Sequence, residues 1–239
     1  MTGILAIDVG GTGLKAAVVD DAGALMTERA RVATPHPCPP ATFLDTIAGL
    51  VKDFPAYDRI AVGFPGVVRD GRILTAPHLG TDHWAGFNLG DGLSQRLGGY
   101  PVRIINDAEM QGLAIISGKG LEFVLTLGTG AGTALFRDGE LMPHMELAHH
   151  PIHDDRTYDD YLGNAAFETD GKKRWNRHVA KAIGLIYTLL HYDHLYIGGG
   201  NAKHVELDGM ANVSITSNEA GIEGGAFLWR KAPRREDAG

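Results

Sequence analysis

The sequence predicts an α/β protein built from two similar lobes. Apolar strands and amphipathic helices follow one another along its 239 residues. Glycine is unusually abundant, with 33 residues, and it clusters at predicted turns instead of spreading evenly. Residues 5–23 and 123–139 share a plan: a buried strand, a Gly-Thr-Gly turn, a second apolar strand, and a turn with Asp followed by Gly. This internal repeat predicts two lobes that each open with a glycine-turned hairpin.

The hydrophobic pattern predicts the elements in order. Strands are expected at 3–9, 14–20, 24–33, 59–64, 102–107, 121–126, 133–138 and 194–197. Helices are expected at 41–54, 108–118, 172–191 and 220–231. The longest helix carries one apolar stripe, formed by Trp175, Val179, Ile183, Ile186 and Leu190.

Composition excludes several classes of function. The formal net charge of -7 and the pI of about 5.8 give no general attraction to nucleic acid or to an anionic membrane, so neither is an expected partner. The single cysteine, Cys38, excludes an intramolecular disulfide framework and a cysteine-rich zinc site. No apolar run reaches the roughly 18 residues of a membrane-spanning helix, and the N-terminus lacks the features of a signal peptide. A cytoplasmic protein is expected.

The glycine turns are candidate phosphate sites. Glycines at strand ends let backbone amides approach an anion, and Thr12 and Thr129 add hydroxyl donors. Each turn alone is explained equally well as a tight hairpin. Two matched turns, with a third glycine cluster at 198–200, favour phosphate binding.

Two other nucleotide motifs fit less well. Residues 11–16 formally match G-x-G-x-x-A, but that fingerprint requires a helix, and the residues that follow favour a strand. The same turn lacks the Ser or Thr that follows lysine in a P-loop, because Ala16 follows Lys15.

Two aspartates end predicted strands. Asp8 would reach a phosphate through a magnesium ion, or else cap the amides of its own turn. Asp107 would act as a general base at the carboxyl end of a strand, or else only cap the helix that follows.

The sequence resembles the ROK family of sugar kinases and repressors, within the actin-like and hexokinase-like phosphotransferases. The similarity is carried, in family order, by DVGGT (8–12), FPG (64–66), NDA (106–108), GTGAG (128–132), ELAH (146–149) and GGG (198–200). The chain is most similar to the short branch that includes polyphosphate glucokinases.

The resemblance implies two ribonuclease-H-like lobes of the actin/hexokinase type with a cleft between them. The small lobe would comprise residues 1–106 and a C-terminal helix at about 222–239, and the large lobe residues 107–221. A homodimer is also expected.

The resemblance also implies roles for individual residues. Asp107 would be the catalytic base that accepts the proton of the attacking sugar hydroxyl. The sugar would be bound by Gly66, Asn88, Asn106, Asp107, Glu146, His149 and Asp159. Phosphates or a nucleotide would be bound by Gly10, Gly11, Thr12, Gly13, Lys15, Gly128, Thr129, Gly130, Ala131, Gly198, Gly199 and Gly200. Asp8 would contact Mg²⁺ held mainly by the donor phosphates.

The chain departs from the family pattern in three places. The cysteine-rich zinc motif of the family is absent, so no structural zinc is expected, and the histidines at 144, 149, 150 and 153 lack companion cysteines. Ala148 replaces a glycine. The second sugar-binding glutamate of the family falls near Asp159 or Asp160, and local alignment favours Asp159.

The expected activity is transfer of a phosphoryl group from ATP or polyphosphate to a hexose, specifically to the 6-OH of glucose. For polyphosphate, a cationic track would be needed, and the predicted long helix offers Lys172, Lys173, Arg174, Arg177 and Lys181. An ordinary solvated helix face explains the same residues. The alternative function is a non-catalytic, sugar-binding ROK-type regulator. Repressors of the family carry an N-terminal helix-turn-helix, whereas this acidic chain begins directly with the Asp8 hairpin.

Overall fold

The computed structural model describes residues 2–206, 209–216 and 220–230. The strands in these ranges are β1 (Gly3–Val9), β2 (Gly13–Val19), β3 (Ala30–Ala33), β4 (Tyr57–Phe64), β5 (Val68–Arg69), β6 (Arg72–Ile73), β7 (Val102–Asn106), β8 (Leu121–Leu127), β9 (Ala131–Arg137), β10 (Glu140–Leu141), β11 (Pro151–His153), β12 (Arg156–Thr157), β13 (His194–Gly198) and β14 (Val213–Ile215). The α-helices are α1 (Pro40–Val51), α2 (Thr81–Trp84), α3 (Leu89–Arg96), α4 (Asp107–Ile115), α5 (Tyr158–Leu162), α6 (Asn164–Leu190) and α7 (Ala220–Phe227). Among these described residues, no helix is both long and apolar enough to cross a membrane.

Two five-stranded sheets repeat the same arrangement. Their strand orders are β3-β2-β1-β4-β7 and β10-β9-β8-β13-β14. In each sheet the central strand pairs antiparallel with the next strand in sequence, as β1 with β2 and β8 with β9, and parallel with the strand on its other side. The predicted internal repeat is therefore confirmed as a structural one.

The first sheet packs against α1 and α3. Its core includes Trp84, whose ring contacts Phe43 and Phe64 at centroid distances of 5.4 and 5.0 Å. The indole N–H of Trp84 donates to the carbonyl of Cys38 at 2.9 Å, so this buried polar group is satisfied. The fully buried aromatic cluster anchors the loop at 65–88, which reaches the cleft.

The second sheet packs against α6. The predicted stripe on this helix is confirmed, because Trp175, Val179, Ile183 and Ile186 are all buried, and Leu190 packs against the same core. α6 is kinked at Gly171, which has φ of 71°, so the part after the kink begins where the predicted helix at 172–191 does, and a shorter helical part from Asn164 precedes it. That left-handed conformation suits glycine and bends the helix just before the basic residues.

Two helices join the sheets. α4 packs against β4 and β7 of the first sheet and against β8 and β9 of the second, whereas α7 packs against α4 and against β1, β2 and β4. Gly224 is required here, since a Cβ atom would lie 1.7 Å from the carbonyl oxygen of Met110. α4 therefore begins at the junction of the two halves, where the cleft lies.

Two predicted elements differ from the structure, and the structure adds helices α2 and α3, which were not expected. The third strand is much shorter than 24–33, because a turn at Asp20–Ala24 ends in an isolated bridge and pairing with β2 resumes only at Ala30. The predicted C-terminal helix ends at Phe227. Its predicted continuation from 231 to 239 lies outside the described residues. α2 and α3 carry too few apolar residues for periodicity to indicate them.

Candidate active site

A cleft lies between the two sheets, bounded by the corresponding turns of both hairpins. One wall is the β1–β2 turn with Asp8 and Lys15, and the opposite wall is the β8–β9 turn at 128–133. The N-terminus of α4 forms the floor, and the loop at 144–149 with Asp159 closes one side. The repeat thus brings its two glycine turns to one site, as the sequence predicts.

Asp107 is the first residue of α4. Asn106 caps this helix, and Oδ1 of Asp107 accepts a hydrogen bond from the amide of Ala108 at 2.9 Å. Burial raises the pKa of Asp107 to about 7, and the like charges of Asp8 and Glu146 contribute to the rise against the backbone hydrogen bonds. A carboxylate with this pKa is well matched to take up a proton near neutral pH.

Asp8 and Lys15 form an ion pair at the cleft wall. They lie directly opposite each other in the β1–β2 register, and Nζ of Lys15 is 2.9 Å from Oδ2 of Asp8. Both side chains are part-buried and both line the cleft. The pair places one carboxylate and one ammonium group beside the first glycine turn.

Glu146 is connected to α4 through His144. The imidazole Nε2 lies 3.3 Å from Oε2 of Glu146, and Nδ1 lies 2.8 Å from Oε1 of the buried Glu109. The other oxygen of Glu109 accepts the backbone amide of Asn106 at 2.9 Å, completing the capping box of α4. The hydrogen bond from His144 lowers the pKa of Glu146, so this carboxylate is ionised at neutral pH.

The structure places Asp159, and not Asp160, in the cleft. Oδ1 of Asp159 accepts the amide of Ala131 at 2.7 Å, which ties the carboxylate to the second glycine turn. A Cβ atom at Gly130 would lie 2.5 Å from the same oxygen, so only glycine permits this approach. Asp160 instead completes the capping box of α5 with Thr157.

Asn106 positions the loop that carries Gly66. Its Nδ2 donates to the carbonyls of Gly66 and Phe64 at 3.2 and 3.4 Å, while its Oδ1 accepts the amide of Ala108 at 2.9 Å. Both residues line the cleft, and Gly66 has no room for a side chain because a Cβ atom would lie 2.0 Å from the carbonyl oxygen of Thr75. The polar atoms of Asn106 are thus engaged by backbone groups.

Most of the remaining predicted residues line the cleft. They are Gly10, Gly11, Thr12, Gly128, Thr129, Gly130, Ala131, His149, Gly199 and Gly200. Each turn is closed by a backbone hydrogen bond from its first glycine: the amide of Gly10 donates to the carbonyl of Gly13 at 3.0 Å, and the amide of Gly128 donates to the carbonyl of Gly130 at 2.9 Å. Gly199 has φ of 85°, and a Cβ atom there would lie 2.3 Å from the carbonyl oxygen of Leu127.

Three predicted residues do not line the cleft. Asn88 caps α3, where its Oδ1 accepts the amide of Asp91 at 3.1 Å. Gly13 faces Arg31 on the neighbouring strand, and Gly198 faces Gln111. Asn88 lies outside the quoted motifs, and its place in the sugar site was expected from the family resemblance; the structure instead brings His78 of the same loop into the cleft.

Sequence reasoning missed His78, Gln111 and His144, which line the cleft, and Glu109, which is buried outside the lining and contacts His144. No motif marks them, and the Glu109–His144 contact joins residues 35 positions apart. The helical position of Glu109, three residues after the Asn106 cap, is the one available signal, because that spacing is typical of a capping box.

Comparisons with known proteins identify the family of this chain. The ROK family model matches residues 4–155. The polyphosphate glucokinase of Mycobacterium tuberculosis (strain ATCC 25618 / H37Rv) is 33% identical over an alignment of 236 positions, gaps included, that covers 92% of this chain and 89% of that protein.

Solved structures of similar proteins share the fold. The inorganic polyphosphate/ATP-glucomannokinase from Arthrobacter sp. strain KM is 31% identical, with a TM-score of 0.85 over 95% of this chain and 97% of that chain. A ROK family glucokinase from Streptomyces griseus, in complex with glucose and AMPPNP, is 19% identical, with a TM-score of 0.79 over 95% of this chain and 98% of that one. The predicted actin/hexokinase-type fold is confirmed, and the chain belongs to the ROK family.

Proposed function

We propose that this chain is a hexose kinase that transfers a phosphoryl group to the 6-OH of glucose. The observation that carries the proposal is the position of Asp107 on the floor of a cleft, between two matched glycine turns and beside the carboxylates of Glu146 and Asp159. The similarity to the Mycobacterium polyphosphate glucokinase and the Arthrobacter glucomannokinase supports the sugar and the reaction.

Asp107 would serve as the base. As the sugar hydroxyl oxygen forms a bond to the terminal phosphorus, its proton passes to the Asp107 carboxylate, and the bond from phosphorus to the leaving phosphate oxygen breaks. The raised pKa of Asp107, about 7, makes the carboxylate a stronger acceptor than an ordinary aspartate. A protein that only binds sugar has no need of this basic group, so the site favours catalysis over the regulator alternative.

Sugar hydroxyls would be held by groups from both halves of the chain. Glu146 and Asp159 supply hydrogen-bond acceptors. His149 is exposed, lines the cleft and lies close enough to both carboxylates to interact with them electrostatically. Asn106 would act mainly by holding the Gly66 loop, because its own polar atoms are engaged. This distribution couples sugar binding to the relative position of the two sheets.

The donor phosphates would lie between the two glycine turns. Lys15 and the backbone amides of the turns supply positive charge and hydrogen-bond donors. Asp8 fits a magnesium ion, because it is a part-buried oxygen ligand at the cleft wall beside the first turn. When bound by Asp8 and the donor phosphates, Mg²⁺ would neutralise charge on the transferred group.

The donor is proposed to be ATP or polyphosphate. Gly199 and Gly200 line the cleft beside the second turn, where a nucleotide base would extend. For polyphosphate, Lys173, Arg177 and Lys181 lie exposed on one face of α6, and no ion pair is recorded for them among the described residues. Lys172 pairs with Glu206 at 2.9 Å and Arg174 with Asp170 at 3.6 Å, which reduces their availability.

A homodimer is proposed from the same helix. Leu185 and Leu189 are 42% and 63% exposed near the end of α6, and residues four positions apart share one helix face, so they form an apolar face that a second copy of the chain would cover.

The direct test of the proposed function is a coupled assay of the purified protein with a panel of hexoses. Each sugar is offered with Mg-ATP and with polyphosphate, and each reaction is repeated with excess chelator. We expect glucose 6-phosphate from glucose with at least one donor, and loss of turnover with chelator. No phosphorylated hexose with either donor would refute the proposal.

A further inference from the structure

The cluster formed by Glu109, His144 and Glu146 is not explained by phosphoryl transfer itself. It joins the buried side of α4 to the sugar-facing loop, and the side chains are 7%, 14% and 29% exposed. Neither Glu109 nor His144 belongs to a glycine turn or to the motifs that carry the family resemblance.

The geometry requires two donors on one imidazole ring. Both ring nitrogens of His144 face carboxylate oxygens, at 2.8 Å for Glu109 and 3.3 Å for Glu146. An ionised carboxylate only accepts hydrogen bonds, so a neutral imidazole would leave one nitrogen lone pair pointing at an oxygen lone pair. The other carboxylate oxygen of Glu109 already accepts a hydrogen bond from the backbone amide of Asn106 at 2.9 Å. A doubly protonated His144 satisfies every contact.

We propose that His144 is a positioning residue for sugar recognition: its imidazolium ties Glu146 to Glu109, and so holds the Glu146 carboxylate ionised and oriented toward the sugar hydroxyls. Glu109 also caps α4, the helix that begins with Asp107. The cluster thereby fixes a sugar-binding carboxylate relative to the catalytic base. The inference depends on the proposed function only in taking Glu146 as a sugar contact.

The charges around the cluster define its pH dependence. Two carboxylates face the His144 ring: Glu109 from α4, and Glu146 from the loop that also carries His144. Asp107 and His149 lie outside the cluster and interact electrostatically with Glu146. Burial alone would lower the pKa of His144, but its hydrogen bonds to Glu109 and Glu146 outweigh burial and raise the pKa to about 9. The imidazolium is therefore present at neutral pH and is lost as the pH rises through about 9.

Kinetics with two variants separate this role from simple packing. In the unmodified protein, the glucose KM should stay constant to about pH 8 and rise above pH 9, whereas the donor KM stays flat. His144→Gln should raise the glucose KM about tenfold at pH 7.5, as expected for one lost charge-assisted hydrogen bond, and should remove the alkaline rise.

Glu109→Gln is the matched control variant. The amide oxygen can still accept the Asn106 amide, and the amide NH₂ can donate to Nδ1 of a neutral His144, so Nε2–H still donates to Glu146. This variant should keep a near-normal glucose KM that no longer rises with alkaline pH. The same alkaline rise in Glu109→Gln as in the unmodified protein would overturn the proposal.

Nitrogen NMR of histidine-labelled protein gives a readout that does not require activity. The His144 signals are assigned by their loss in His144→Gln. We expect both ring nitrogens to be protonated at pH 7.5, with titration near pH 9 and at lower pH in Glu109→Gln. A neutral ring at pH 7.5 would overturn the inference even if the kinase activity is present. Failure of the proposed function would instead appear as no phosphorylation at any pH.

Discussion

The carboxylate of Asp107 shares the cleft with those of Asp8 and Glu146, and this crowding of negative charge adds to the effect of burial. The result is a group that titrates near neutral pH, where a normal aspartate is fully ionised. Only the ionised form accepts a proton, so activity must fall as the pH drops through the pKa of Asp107. The cluster of like charges therefore helps to raise the pKa of Asp107 and makes the activity depend on pH.

The first prediction concerns this pH dependence. With Asp107 as base, kcat/KM for glucose should fall about tenfold per pH unit below about pH 7, because the protonated carboxyl has already bound its proton and is far too weak a base to take up another. Asp8→Asn removes one negative charge near Asp107. The fall of kcat/KM with decreasing pH should therefore begin at lower pH in this variant than in the unmodified protein, whatever the absolute rate of the variant. A profile that is flat between pH 5.5 and 7 would contradict this assignment.

The site could be predicted from the sequence where a short motif carries it. Asp107 and the glycine turns follow from their places at the ends of predicted strands, Glu146 follows from the family resemblance, and the structure brings them together in one cleft. Their catalytic and binding roles stay predictions. His144 and His78 could not be predicted, because their positions depend on contacts between distant parts of the chain, and neither residue type in isolation indicates a site.

At the scale of elements, α6 combines a buried stripe with a basic face. Trp175 and Ile183 are buried against the second sheet, while Lys173, Arg177 and Lys181 are exposed. Residues at i, i+4 and i+8 share one face of a helix, so these cations form a row. A row of solvated cations is ordinary on a helix, and only a donor with many negative charges would give it a function.

The second prediction tests this basic row. Charge reversal at Lys173 and Arg177 should raise the KM for polyphosphate at least about tenfold and increase its sensitivity to salt, while ATP kinetics change little. Lys52→Glu, at an exposed site at the end of α1, is the matched control and should leave both donors unaffected. Equal effects on both donors, or no turnover with polyphosphate, would leave the row a solvated surface.

The elements themselves could be predicted to different degrees. Strong apolar patterns mark β1, β4, β8 and the stripe of α6. The observed ends of these three strands lie within two or three residues of the predicted ends. The predicted third strand, 24–33, is longer than the observed one. The apolar residues of this segment do not reveal that Leu25 forms only an isolated bridge to Val19 beside a tight turn. Helix α3, with four apolar or glycine positions, offers no periodicity to recognise.

At the scale of the whole molecule, two similar sheets meet at α4 and α7. The sequence repeat predicts this arrangement, since two copies of one hairpin plan imply two similar lobes. The division into lobes at residue 107 stays a prediction, as does a hinge near 105–107 and near the last helix. Gly66 lies on one side of that boundary, and Glu146 and Asp159 lie on the other.

The third prediction follows from sugar contacts on both sides. Glucose should draw the lobes together, which excludes water that would otherwise hydrolyse the donor. Small-angle scattering should therefore give a smaller radius of gyration with saturating glucose than without it. Mannitol, an acyclic polyol, serves as a control for solvent contrast. Identical dimensions with and without glucose would contradict closure.

The central claim, that Asp107 is the base of a hexose kinase, is tested most directly by the turnover number of Asp107→Asn. The amide keeps the size of the side chain but cannot accept the hydroxyl proton, so turnover should fall at least ~100-fold. Glucose affinity from calorimetry and the thermal unfolding midpoint, measured on the same sample, should stay near those of the unmodified protein. Near-normal turnover in this folded, sugar-binding variant would contradict the account.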